Sequence, residues 1–317
     1  MKYTKEMQSE KILITGGAGF IGSHLVESLK NQGHELMVVD NLLSGKKENI
    51  ENIVIDNIFF DEIGSIEILK KIENFNPDVC FHLAAQSSVV ISVEDPVLDF
   101  DHNIIQPLQL MKTLLSTDCR KFIFSSSGGT IFGEPDVIPT SEEDFAGEPE
   151  SPYGISKKRL NEFIELIFSD KNSITYSILN FSNVYGPRQD PHGEAGVVSI
   201  FTSKMMNNLK PTVFGDGEQT RDYIFVQDVV DALLLSSTIN ENLFLNIGTG
   251  IETSVNELVA ALKRTTAYQG DINYEPKRDG ELQRSVLNNS KAMKVLGWEP
   301  KYSLESGVSE LVSWLKA

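Results

Sequence analysis

Cysteine is nearly absent from this chain: Cys80 and Cys119 are the only two in 317 residues. Two thiols in a chain of this size exclude a disulfide scaffold. Each stands in or beside an apolar run, so both are expected as small core residues in a reducing, cytoplasmic setting. Histidine is scarce too, five in all, and none is spaced with a cysteine in a zinc-binding pattern. No metal site is expected. No apolar run approaches the ~20 residues of a membrane span. Residues 1–10 are polar, lack the apolar centre of a signal peptide, and read as a loose tail. Positive charge is short, with 28 Lys and Arg against 45 Asp and Glu, a net charge of −17. A general nucleic-acid binder needs a basic face, so neither nucleic acid nor membrane is an expected partner. An anionic substrate would need locally placed arginines to offset the overall field. Internal repeats and low-complexity segments are also missing. The length suits a large core and one or two domains.

What the chain does have is concentrated in Lys11-Ile-Leu-Ile-Thr-Gly-Gly-Ala-Gly-Phe-Ile-Gly-Ser23. The first five residues read as a buried parallel strand. Gly16, Gly19 and Gly22 form a turn, and Phe20 and Ile21 open an amphipathic helix. The first glycine allows a sharp turn, the second lets backbone approach a ligand, and the third lets helix pack on strand. The helix N-terminus would direct free N–H groups at a diphosphate. A second apolar run, 35–39, ends at Asp40, 18 residues beyond Gly22. A dinucleotide fold places there the carboxylate that holds the adenosine ribose, and a carboxylate repels a 2′-phosphate. NAD is therefore expected over NADP.

Further strands are expected at 52–60, 78–86, 121–127 and 173–179, with helices at 66–75, 94–115 and 151–168 between them. Pro107 is expected to bend the long 94–115 helix. The acidic segment 134–152 reads as a solvated surface loop. The alternation predicts an α/β fold with a doubly wound parallel sheet, a Rossmann fold, over residues 1–182. Residues 183–317 read as mainly a smaller α/β substrate lobe, with returns to the first domain near 223–248.

Tyr153 and Lys157 lie four apart and share one helix face. A tyrosine of pKa about 10 is a poor base near neutrality, and a neighbouring ammonium favours its phenolate. The pair gains meaning from the glycine fingerprint upstream and the Ser125-Ser-Ser127 strand end between them.

Together with Asp40-Asn41, Asp61, His82-Leu-Ala-Ala-Gln86, Asn183-Val-Tyr-Gly-Pro-Arg188, Gly215-Asp-Gly-Glu-Gln-Thr-Arg-Asp222, Arg278 and Leu296-Gly-Trp298, these residues give a chain-long resemblance to one family. The chain resembles extended short-chain dehydrogenases/reductases of the NAD-dependent nucleotide-sugar epimerase/dehydratase group. By that resemblance Tyr153 is the acid/base and Lys157 its partner, both also beside NAD. Asn41 joins Asp40 at the cofactor. Asp61 contacts adenine, Leu83, Ala84, Ala85 and Gln86 line the cofactor, and Asn103 supports the lysine region. Asn183, Arg221 and Arg278 hold the substrate diphosphate and sugar. The alternative for the two arginines is surface pairing with Asp222 and Asp279. The family's catalytic hydroxyl stands four residues before the Tyr of a V-Y-G segment. Here Phe132 replaces that Tyr and Gly128 occupies the fourth position back, so Ser127 is the expected hydroxyl, with Ser126 and Thr130 behind it.

The same turn separates reactions. Dehydratases resembling this family carry Asp-Glu there and decarboxylases a Glu, whereas this chain has Gly128-Gly-Thr130. Elimination then lacks its general acid. The expectation is an NAD-dependent 4-epimerase acting on a nucleotide-diphosphate sugar, UDP-glucose/galactose or UDP-GlcNAc/GalNAc. A 4-ketoreductase or 4,6-dehydratase-like enzyme is the alternative, and a non-catalytic NAD-binding regulator a remote one. Ser285 stands where galactose epimerases resembling this family carry a bulky Tyr, which implies room for an N-acetyl group. The resemblance also implies a homodimer through the helices at 94–115 and 153–168.

Overall fold

The computed structural model describes residues 9–143, 147–168, 174–191, 196–277 and 282–316. Arg278 and most of the expected N-terminal tail lie outside the described residues. Six strands, β1 (Lys11–Thr15), β2 (Glu35–Val39), β3 (Asn57–Phe59), β4 (Val79–His82), β5 (Lys121–Ser127) and β6 (Thr175–Phe181), join Leu243–Ile247 in one sheet. The order is β3-β2-β1-β4-β5-β6 followed by Leu243–Ile247, and every pairing is parallel.

Parallel strands need crossovers, which cover both faces of the sheet with helices. The two-residue side-chain period then splits β1 between two cores. Ile12 and Ile14 join Leu25, Val26 and Leu29 of helix α1 (Phe20–Asn31) on one face. Leu13 joins Ile68, Ile72, Leu110 and Leu160 on the other. Full burial of each such side chain contributes about 1.5–3 kcal/mol. Cys80 and Cys119 are buried free thiols, and burial pushes the Cys119 thiol up to about 12. No helix among the described residues is long and apolar enough to cross a membrane.

The last half of the chain divides its allegiance. Leu243–Ile247 pairs with β6, and Val229, Leu233 and Trp298 sit in the α1-side core. Tyr185, Phe201, Leu258 and Val308 instead build a separate core. Within it a small sheet aligns Arg221 with Ser285 on neighbouring parallel strands and with Thr253 on an antiparallel one.

Two expectations change. The 94–115 segment is not one helix. Helix begins at Val89, breaks at Asp95, whose side chain caps Pro96–Phe100, and continues through a π-helical turn at Asp101–Ile105 into Gln106–Leu114. Pro107 comes just after the π-helical turn, and the helix runs on past it to Leu114. The acidic segment is not wholly solvated either. Glu142 is buried and accepts the Asn246 N–H at 2.8 Å, and Thr140 accepts the Asn246 side-chain amide at 3.0 Å. The segment thus seals the open edge of the sheet, which needs hydrogen-bond partners and has no eighth strand among the described residues.

Gly22 shows how tightly α1 is seated. A Cβ there would lie 2.0 Å from the carbonyl oxygen of Gly16, whose own φ of +73° suits glycine. Gly22→Ala is expected to destabilise the protein by about 1–3 kcal/mol through overpacking. Urea unfolding of the purified variant measures the loss, and NAD affinity should fall with it.

Candidate active site

The carboxyl ends of the parallel strands open into a cleft of about 280 Å³. Ligands of open α/β sheets bind at such ends. Helix α1 starts there at Gly19 with no side-chain cap, leaving its first N–H groups for a ligand. Gly16, Gly19, Phe20, Ile21 and Gly22 all line the cleft, joined by Leu83, Ala84 and Ala85 from the end of β4. A side chain at Gly16 would run into the backbone of Ala84 at 2.6 Å, so turn and β4 end form one continuous floor.

Asp40 and Asn41 line the cleft beyond β2. Asp40 is buried, accepting from Ala18 N at 2.9 Å and Leu42 N at 2.8 Å. Burial raises its pKa, and those backbone N–H groups work against the rise. Asn41 donates to Glu62, and Glu62 and Ile63 supply the adjoining wall. Asp61 does not: its carboxylate accepts the Glu62 N–H and the Ser65 hydroxyl, which turns it to the loop before Ile66–Phe75.

The other end of the cleft carries Ser125, Ser126 and Ser127 from β5, Tyr153 and Lys157 from the helix Pro152–Phe168, and Phe181, Ser182 and Val184 after β6. Lys157 is buried and donates to the Ser125 carbonyl at 2.9 Å. Its ammonium sits 4.6 Å from the Phe124 ring centre and 5.9 Å from that of Tyr153. Burial pushes the lysine down to about 7, and Asp99 opposes that fall. His82, stacked on Phe122 and Phe124 and 2.7 Å from the Thr15 hydroxyl, is pushed down to about 3 by burial and then by the Lys157 charge, so it is neutral. Thr130 turns its hydroxyl to the Ser127 carbonyl at 3.4 Å, whereas Ser127 and Ser126 both line the cleft.

Gln86 and Asn103 lie behind the wall. Asn103 brackets Gln86, accepting its backbone N–H and donating to its carbonyl, and both side chains donate to Asp99. Asn183 donates its backbone N–H to Asp222, while its neighbours Ser182 and Val184 face the cleft. Arg221 and Ser285 come together by strand register, and the space above Gly129 reaches the Ser285 hydroxyl at 4.0 Å. The Asp222 carboxylate accepts from Thr249, Gly250 and Leu287 and is fully buried. Sequence reading missed Glu62, Ile63, Ser87, His102 and Ser182; only their position just after strands, or on the helix facing them, could have signalled them.

The residues present fit NAD. The glycine turn packs too closely on neighbouring backbone to admit a Cβ at Gly16 or Gly22, the helix N-terminus is open to anions, the Asp40 carboxylate lines the cleft at the end of β2, and the buried Ser126 and Ser182 hydroxyls have no hydrogen-bond partner among the described residues. Adjoining Tyr153 and Lys157, such a floor defines the short-chain dehydrogenase/reductase class. More narrowly, the chain belongs to the NAD dependent epimerase/dehydratase family, which it matches over residues 12–248. A UDP-glucose 4-epimerase from Thermotoga maritima, solved with UDP-glucose, is 45% identical with a TM-score of 0.93, over 96% of this chain and 98% of that one. A UDP-glucose 4-epimerase from Thermus thermophilus, solved with NAD, is 37% identical with a TM-score of 0.88, over 97% and 99%. A UDP-N-acetylglucosamine 4-epimerase from Methanobrevibacter ruminantium, in complex with UDP-N-acetylmuramic acid, is 31% identical with a TM-score of 0.92, over 98% and 99%.

The depressed lysine makes stability depend on pH. Between pH 7 and the ordinary lysine value of 10.5, the unfolded chain holds a proton that folded Lys157 has lost. Stability owed to this group therefore rises with pH across that window, at up to about 1.4 kcal/mol per pH unit. Lys157→Met should remove the slope. Unfolding free energies of both proteins from pH 6.5 to 10, compared by difference, check it.

Proposed function

We propose that the chain is an NAD-dependent epimerase that inverts C4 of a UDP-sugar through a 4-keto intermediate. One observation carries the reading: the cleft joins a dinucleotide floor to Tyr153, Lys157 and the β5 serines, with Gly128-Gly129-Thr130 where elimination would need a carboxylate.

Bound NAD supplies a reversible hydride acceptor beside the sugar. Tyr153 takes the proton of the C4 hydroxyl as its C–H hydride leaves, and returns it when the hydride comes back to the other face. The Lys157 ammonium favours the tyrosinate that first accepts the proton. Ser127 hydrogen-bonds the C4 oxygen. Arg221 anchors the diphosphate with its fork of donors while the sugar turns over, and Arg278 is assigned to the same task by resemblance. No net oxidation results, so added cofactor is not consumed. Ser285 beside Gly129 leaves room at the sugar, which favours N-acetylated substrates as well as UDP-glucose. The apolar side chains Val97, Phe100, Ile105, Phe163 and Leu166 are exposed on the two helical segments expected to pair, supporting a homodimer. The sedimentation coefficient of the purified protein decides between dimer and monomer.

Incubation with UDP-sugars, read by mass and NMR without added cofactor, should give a C4-inverted product of unchanged mass; consumption of added NADH would identify a ketoreductase instead. Tyr153→Phe should lower turnover by about 10²–10⁴-fold with NAD still bound, and near-normal turnover removes the tyrosine from the role. Ser285→Tyr should cut activity on UDP-GlcNAc more than on UDP-glucose, and equal losses would defeat the specificity assignment.

A further inference from the structure

Asp99 is one of the few carboxylates with no exposed surface. It lies on the short helix Pro96–Phe100. Its Oδ1 accepts from the side-chain amides of Gln86 and Asn103, each at 2.9 Å. Its Oδ2, equally buried, has no hydrogen-bond partner among the described residues. No positive group among the described residues bonds either carboxylate oxygen. A buried carboxylate in turn requires a positive partner.

The helix that carries Asp99 packs against Pro152–Phe168, which carries Lys157. That ammonium is buried too, and the hydrogen bond described for it goes to a neutral carbonyl. Other charged or titratable groups around it do not serve. His82 on β4 is neutral, and Tyr153 on the same helix is the reacting group. Asp101 accepts from Gln106, His102 stands by Glu62, and Glu94 is exposed. Lys121 opens β5 and holds the carbonyls of Tyr176, Ile239 and Glu241, far along the strand from Ser125. Asp99 is left as the anion whose charge acts on Lys157.

We propose that Asp99 is the buried counter-charge that sustains the Lys157 ammonium up to neutral pH, making it a positioning residue for the Tyr153 reaction. The proposal rests on the epimerase reading for its link to turnover. Burial drives the lysine toward the neutral amine, and a neutral amine cannot favour a tyrosinate. Asp99 acts in the opposite direction without touching substrate, cofactor or the reacting oxygen. Its bonds to Gln86 and Asn103 fix it on the helix packed against the lysine's own and explain why those two residues stand behind the cleft wall.

Asp99→Asn isolates the charge, because an asparagine Oδ1 still accepts from both amides and its Nδ2 replaces the unpartnered oxygen. In the full-length variant, the Lys157 ε-methylene NMR signal, assigned by its loss in Lys157→Met, should titrate about one pH unit or more below the wild-type value. The alkaline limb of turnover on UDP-glucose should move down in step, with KM little changed. A titration and a pH profile that both superimpose on the wild type, even at a lower melting temperature, overturn the proposal and leave Asp99 a packing residue. The wild type gives a reading that needs no folded variant: the Asp99 carboxyl carbon should report an ionised group throughout pH 6–8, and a neutral one there overturns the idea. Absence of wild-type turnover on every UDP-sugar defeats the epimerase reading alone, since both NMR titrations still decide on Asp99.

Discussion

Helix α1 can begin where it does only because two glycines allow its first turn to press onto the loop before it. Gly22 meets the Gly16 carbonyl at a distance that leaves no room for a methyl group, and Gly16 meets the end of β4 in the same way. That contact fixes three things together. It sets the angle of the helix on the sheet, it leaves the helix N-terminus uncapped at the cleft, and it brings β1 and β4 level so that Ala84 and Ala85 continue the floor. A bulkier turn would push the helix off the core formed by Leu25, Val26 and Leu29.

The parallel sheet extends this local constraint across the molecule. Because all seven strands run the same way, their carboxyl ends lie on one edge. Asp40 from β2, the β4 floor, the β5 serines and Phe181 from β6 therefore reach one cleft although 141 positions separate the first from the last. Tyr153 and Lys157 complete it from a helix packed on β5 and β6. The lysine is held where water cannot reach it, and its charge depends on what the protein places nearby.

Much of this was legible in the sequence because it depends on local pattern. The β1 turn, Asp40, the helix with Tyr153 and Lys157, and the alternation of strands and helices are short-range features with a recognisable period. Asp61 and Gln86 were expected at the ligand, and the structure turns Asp61 to the neighbouring loop and sets Gln86 behind the wall, since one residue of displacement at a strand end decides which way a side chain faces. Glu142 was read as solvated because an acid in a proline-rich segment usually is. Its burial follows from an unpaired strand edge about 100 residues later, which no local pattern reports. The break at Asp95 was missed for the opposite reason: Pro107 looked like the stronger interruption, but the helix runs on past it to Leu114.

The sealing of the sheet edge by 140–142 bears on how the chain is made. Synthesis delivers β1 to β6 by residue 181, but the last strand, Leu243–Ile247, follows some sixty positions later. Until then β6 is an exposed edge with unpaired backbone groups, the kind of surface that joins neighbouring chains. The segment around Thr140 cannot seal the sheet early, because its own partners are Asn246, in that last strand, and Val286 and Asn288, later still. Closure of the sheet is thus a long-range event that waits for most of the chain to emerge, so the first six strands cannot mature ahead of the residues that follow them during translation.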